Sequence, residues 1–206
     1  MRDCRGERTR VWAATGSAPA LPARHFLMSQ SGPTAARRTR EFNVLKFGAV
    51  GDGISLDTPA LQRAIDAAAA SGRGARVLVP GGHRFLTGTV ILRAGVDLHL
   101  ADDAELLAST RVADYRSDGA LITADAADAI KLSGSGTING RSREFMTHYD
   151  ETGEWWQPAS FRPRLAVFSG CRDVAVEGVT FHHSPWWTLH LVGCEDVLVD
   201  AVRIRN

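Results

Sequence analysis

Two stretches 23 residues apart carry the fold: Gly170 to His183, GCRDVAVEGVTFHH, and Gly193 to Asn206, GCEDVLVDAVRIRN. Gly170/Gly193, Cys171/Cys194, Asp173/Asp196, Val174/Val197, Val176/Val199 and Val179/Val202 are identical, and Phe181/Ile204 are both large and apolar. A looser copy lies upstream, where Ile130, Leu132 and Gly134 match Val174, Val176 and Gly178. Self-similarity at a period of ~20–50 residues marks solenoids, propellers and arrays. This period is shorter than a propeller blade or a two-helix repeat. The repeated apolar residues stand two apart, the spacing of a strand rather than a helix, and leucine does not dominate as it would in leucine-rich repeats. The pattern predicts an all-β chain, with each copy one coil of a right-handed parallel β-helix that buries its inward side chains by stacking on its neighbours. Val174 should lie on Val197, Val176 on Val199 and Cys171 on Cys194. The cysteines then read as a small apolar ladder, with a disulfide between coils as the alternative.

Working upstream, Val77-Leu78-Val79, Thr89 to Leu92, the alternation Val96, Leu98, Leu100, and the short runs at 121–122, 130–132, 165–168, 189–191 and 197–199 read as strands. Hairpin signals between them are few. Phe42 to Phe47 reads as an opening strand, and Gly48, Gly51 and Gly53 around Asp52 as a tight turn. A cap helix is expected over about 58–71: Asp57 or Thr58 can cap it, Pro59 suits its first turn, and Gly72 supplies a left-handed stop. Leu61, Ala64, Ile65 and Ala68 form its buried stripe.

Residues 1–41 have no sustained period. Residues 1–40 hold eight arginines against Asp3 and Glu7, a charge of +6, while the net charge of the whole chain is +1. They are read as a disordered basic tail, with the folded domain over 42–206 and either Met1 or Met28 as the start. Aromatics do not alternate with the arginines, which argues against a nucleic-acid partner. No window approaches the ~20 apolar residues of a membrane span. Three cysteines without a CxxC spacing exclude a disulfide scaffold and a cysteine-rich zinc module.

With the repeat established, several segments resemble glycoside hydrolase family 28, the polygalacturonases of the pectin lyase-like β-helix superfamily. They are Phe47-Gly-Ala-Val-Gly-Asp-Gly53, Asp57-Thr58 with Ala60 to Ile65, Val77-Leu-Val-Pro-Gly-Gly82, and Gly134-Ser-Gly-Thr-Ile-Asn-Gly140, where Asn139 replaces the family's Asp. Arg162-Pro-Arg-Leu165 and Ser184-Pro-Trp-Trp-Thr-Leu-His190 resemble the coils just before the catalytic ones. The resemblance implies inverting hydrolysis of a pectic poly- or oligogalacturonide, in which one acid protonates the leaving oxygen and a base activates water. It implies no metal or organic cofactor and a monomer. The family's Asn-Thr-Asp, Gly-His-Gly and Arg-x-Lys segments do not occur, and Asp102-Asp103 lies far upstream of the family's acid pair. No catalytic residue is therefore assigned, and the chain is expected to be an inactive N-terminal fragment of such an enzyme.

Three residues are substrate-binding candidates. His190 alternates with Leu189 and Leu191 and should face outward one strand spacing, ~4.8 Å, from the family's catalytic row. Trp186 offers a stacking face for a sugar, whereas Trp187 is expected in the core. Arg162 closes a segment from Met146 that interrupts the period, and could pair a uronate carboxylate. The simpler reading packs that segment's tryptophans on the helix. Asp102-Asp103 and Asp52 are read as turn residues, and His182-His183 lacks a third metal ligand. Competing functions are a lyase on the same scaffold, with Lys46 and Lys131 the only lysines, and a non-catalytic carbohydrate-binding or phage-tail-like β-helix. The apolar run Val11 to Ala14 is too short for a secretory signal. The default expectation is cytoplasmic, although pectinases often act outside the cell.

Overall fold

The computed structural model describes residues 39–206; all of the expected tail except residues 39–41 lies outside them. Apart from one antiparallel hairpin, the strands form three parallel sheets that the chain visits in rotation. The first sheet stacks Glu41–Asn43, Ala75–Val79, Val96–Leu100, Asp128–Gly134, Arg172–Glu177 and Glu195–Asp200. The second stacks Asp52–Leu56, Arg84–Thr87, Glu105–Ala108, Thr137–Asn139, Thr180–His182 and Arg203–Arg205. The third stacks Val90–Ile91, Ala120–Asp125, Arg164–Ser169 and Leu189–Val192. This is a parallel β-helix. Val174 pairs with Val197 on one side and Ile130 on the other, and Val176 with Val199 and Leu132. Phe181 pairs with Ile138 and Ile204. The repeat read from sequence is thus the strand register.

One core runs up the solenoid. Val77, Leu98, Leu132 and Val176 come from the first sheet, Phe85, Leu106, Ile138 and Phe181 from the second, and Ile122, Ala166 and Phe168 from the third. Each fully buried Leu, Ile, Val or Phe contributes roughly 1.5–3 kcal/mol relative to exposure. Cys171 is buried within this core and Cys194 packs against it; both thiols are free. Burial raises the pKa of the Cys171 thiol, as suits an inert packing residue.

The helix Thr58–Ala70 buries Ala60, Leu61, Ala64, Ile65 and Ala68. Gly72 follows its last turn at φ +98°. Neither expected capping side chain serves its start. Asp57 occupies the cap position but makes no side-chain cap bond. Its carboxylate instead accepts from Val50 N at 2.7 Å and Gly51 N at 3.1 Å, and so ties the glycine loop to the helix. Thr58 Oγ1 accepts from Gly88 N at 2.8 Å, which anchors the following coil. Because Asp57 is 2% exposed, Asp57→Ala leaves two amides without their acceptor. The expected loss is about 1–3 kcal/mol, read as a lower urea midpoint at unchanged slope; an unmoved midpoint would refute the role.

The opening strand is shorter than expected. It ends at Asn43, whose Oδ1 accepts from Leu45 N at 2.9 Å and turns Val44–Phe47 into a 3-10 helix. Asn139 also has a physical reason. Its amide donates to Glu105 Oε1 at 2.7 Å on the neighbouring coil, where an aspartate would bring two like charges together.

Candidate functional site

The outer face of the third sheet aligns Thr123, Val167 and His190 in one row. Leu189 and Leu191 pack against the core, so alternation turns His190 outward, as its sequence position implied. The same alternation fails for Trp187. It is 50% exposed rather than buried, because the strand begins only at Leu189 and residues 184–188 form the turn before it. Trp187 stands edge-on to the His190 imidazole with ring centroids 4.3 Å apart.

Sequence reasoning missed the residue at the centre of this face. Arg164 Nη1 lies 3.4 Å from His190 Nδ1, and Arg164 Nη2 donates to Asp118 O. A guanidinium can only donate, so His190 Nδ1 can only accept in this contact. Arg164 Nε is buried and has no partner. Among the described residues no carboxylate lies within ion-pairing distance of Arg162, Arg164 or Arg116. The 23-residue offset, extended upstream, would have placed Val167 beside His190 and so brought Arg164 within reach.

The three residues proposed from sequence come together here. Arg162 Nη1 donates to Pro185 O at 3.3 Å, and its guanidinium lies 5.7 Å from the Trp186 ring. The Arg164 guanidinium lies 5.9 Å from the same ring. Trp186 is 51% exposed, so two cations flank an open indole. Beside them a groove of about 310 Å³ runs along the sheet, lined by Arg116, Asp118, Asp125, Arg164, His190 and Val192 among others. Its lining draws on all four strands of the third sheet.

Several other polar groups are paired internally. A groove of about 450 Å³ on the first sheet includes Arg76 and Lys131, but these pair with Asp97 at 3.0 Å and Glu177 at 2.5 Å. Nearby, His99, Ser133 and Asp97 form a hydrogen-bonded chain. Ser133 Oγ donates to Asp97 at 2.6 Å and is buried, so it is not an activated nucleophile. Burial, then the Arg76 charge, lowers the pKa of His99 and favours its neutral form. Asp52 accepts from Ile54 N, Ser55 N and Ser55 Oγ, a turn arrangement that lowers its pKa. Asp102 and Asp103 are exposed in their turn. His182 and His183 stack at 3.7 Å, and no metal-holding group of His, Cys, Asp or Glu occurs among the described residues. The tryptophans of the inserted segment do not pack on the helix. They lie on an antiparallel hairpin, Met146–Asp150 with Trp155–Pro158, because Tyr149 and Trp156 pair across strands instead.

Residues 41–151 match the family described as rhamnogalacturonase A/epimerase, pectate lyase-like. The chain belongs to this family. Among solved structures, this pectate lyase-like chain is similar to the hyperthermoactive exopolygalacturonase of Thermotoga maritima, with 25% identity, a TM-score of 0.68, and 80% of this chain and 46% of that one covered. It is also similar to a protein of Parabacteroides merdae assigned to the glycosyl hydrolases, with 31% identity, a TM-score of 0.69, and 81% and 75% covered. A third relative is the plasmin and fibronectin-binding protein A of Streptococcus pneumoniae, 30% identical over 78% of this chain and 23% of its own length. The chain spans 37%, 34% and 40% of the length of three polygalacturonase relatives it matches.

Proposed function

We propose that this chain is the N-terminal part of a glycoside hydrolase that inverts and cleaves pectic galacturonides, and that residues 39–206 bind the polymer without cutting it. In this reading the coils wind right-handed, the helix Thr58–Ala70 closes their N-terminal end, and the groove is served by a monomer. Arg164 carries the reading: a guanidinium with no carboxylate partner among the described residues, and an exposed indole beside it. A uronate supplies what is missing. Its carboxylate can take the guanidinium protons in charge-assisted bonds, its hydroxyls can accept from His190 Nε2, and its apolar ring face can lie on Trp186. Arg162 serves a neighbouring sugar. Inverting hydrolysis needs an acid and a base on opposite sides of the bond, separated enough to admit water. The chain carries none of the segments that supply them in family 28. Purified chain should therefore release no reducing ends from polygalacturonate while still binding it. Hydrolysis by this chain would overturn the division of labour, and an unsaturated, ultraviolet-absorbing product would favour a lyase. The likeness to the pneumococcal binding protein supports a second reading, a non-catalytic binding β-helix. Binding of neutral and acidic polymers alike would favour it.

A further inference from the structure

We propose that the hairpin Met146–Asp150/Trp155–Pro158 and the cationic groove at its base form a second site for an acidic oligosaccharide, separate from the third-sheet groove. The hairpin stands outside the solenoid, so its aromatic residues contribute nothing to the core. Tyr149 is 44% exposed, Trp155 51% and Trp156 38%, and the Tyr149 and Trp156 rings lie 5.3 Å apart. Exposed aromatic rings this close together are costly unless something covers them.

The hairpin is also built to hold still. Asp150 Oδ1 accepts from Thr152 N at 3.0 Å and Gly153 N at 3.1 Å, and Oδ2 accepts from Gln157 Nε2 at 3.2 Å. Thr147 Oγ1 donates to Gln157 O at 3.1 Å, and Ala159 N donates to Phe145 O at 2.8 Å. Phe145 itself is buried. Rings on such a frame lose little conformational freedom when a ligand stacks on them.

Charge selects the ligand. A groove of about 530 Å³ is lined by Arg84, Arg141 and Arg143 against a single carboxylate, Glu144, with Asn139 and His183 also in its wall. Glu105, outside that lining, pairs with Arg84, and Glu144 pairs with Arg141 at 3.1 Å. Arg143 has no carboxylate partner among the described residues. Its guanidinium lies 3.1 Å from the centroid of the Trp156 ring, so one residue joins the groove to the aromatic hairpin. A cation held on an indole beside open rings fits a sugar that presents an apolar face and a carboxylate together.

Electrophoresis of the full chain through gels containing polygalacturonate, and through gels containing its methyl ester, tests this. Trp155→Ala should weaken retardation about threefold to tenfold, and Arg143→Gln should reduce the preference for acid over ester, leaving the part that Arg164 supplies. Both positions lie outside the core, so melting temperatures should stay put. If Arg164→Gln abolishes retardation and the hairpin variants leave it unchanged, the second site is refuted while the third-sheet groove stands. If the hairpin variants lose retardation and Arg164→Gln does not, the second site stands and the third-sheet reading fails. Concentration-dependent self-association that Trp155→Ala removes, with retardation intact, would make the hairpin a protein contact and overturn the proposal.

Discussion

Gly134→Ala should cost the fold about 4 kcal/mol or more. Gly134 sits at φ +109°, and a Cβ there would fall 1.9 Å from Leu100 O and 2.7 Å from Leu100 C on the coil below. Backbone cannot retreat from that contact without breaking the first sheet, where Leu100 pairs with Gly134. For a domain of this size the loss corresponds to a fall in melting temperature of roughly 10 °C or more. Gly170→Ala is the control. Gly170 also has positive φ, +59°, but a Cβ there meets nothing within 4 Å. Its cost should be about 1–2 kcal/mol, the local penalty alone. Thermal scans of the two variants side by side measure the contact separately from the dihedral. Equal losses would mean that the coils do not pack this closely.

Arg164→Gln should weaken binding of trigalacturonate by about tenfold to a hundredfold. Hydrogen bonds to a charged partner are worth about 1.5–3 kcal/mol each, and Arg164 has no carboxylate partner among the described residues to compete for them. His190→Gln should cost less, about threefold to tenfold, because it displaces one hydrogen-bond donor and leaves the Arg164 guanidinium in place. Titration calorimetry reads both. If Gln at 164 binds as well as Arg, the uronate is held elsewhere.

How far the sequence reached depended on how local each signal was. The pairs Val174/Val197 and Val176/Val199 were legible because identical side chains recur at a fixed interval, and that interval is the register. The helix was legible from its apolar stripe, and it ends at Ala70, one residue short of the expected end. Its cap was not, since the Asp57 carboxylate is claimed by amides of a preceding loop rather than by the helix. His190 was found by alternation. Trp187 was misplaced because alternation was carried past the end of the strand. Arg164 escaped because its partners are Asp118 and His190, 46 and 26 residues away in sequence, and only the last two strands of the third sheet keep the 23-residue offset, without keeping the residue types. The hairpin had no repeat to betray it: its strands pair with each other and with no other coil.

The most direct test of the uronate groove sets tri-α-1,4-galacturonate against its fully methyl-esterified form, titrated into the wild-type chain at low and at physiological salt. The two ligands share shape and differ in charge. The expected result is about tenfold tighter binding of the acid, a gap that narrows as salt rises and shrinks in Arg164→Gln. Equal affinity for acid and ester at both salt concentrations would contradict the claim.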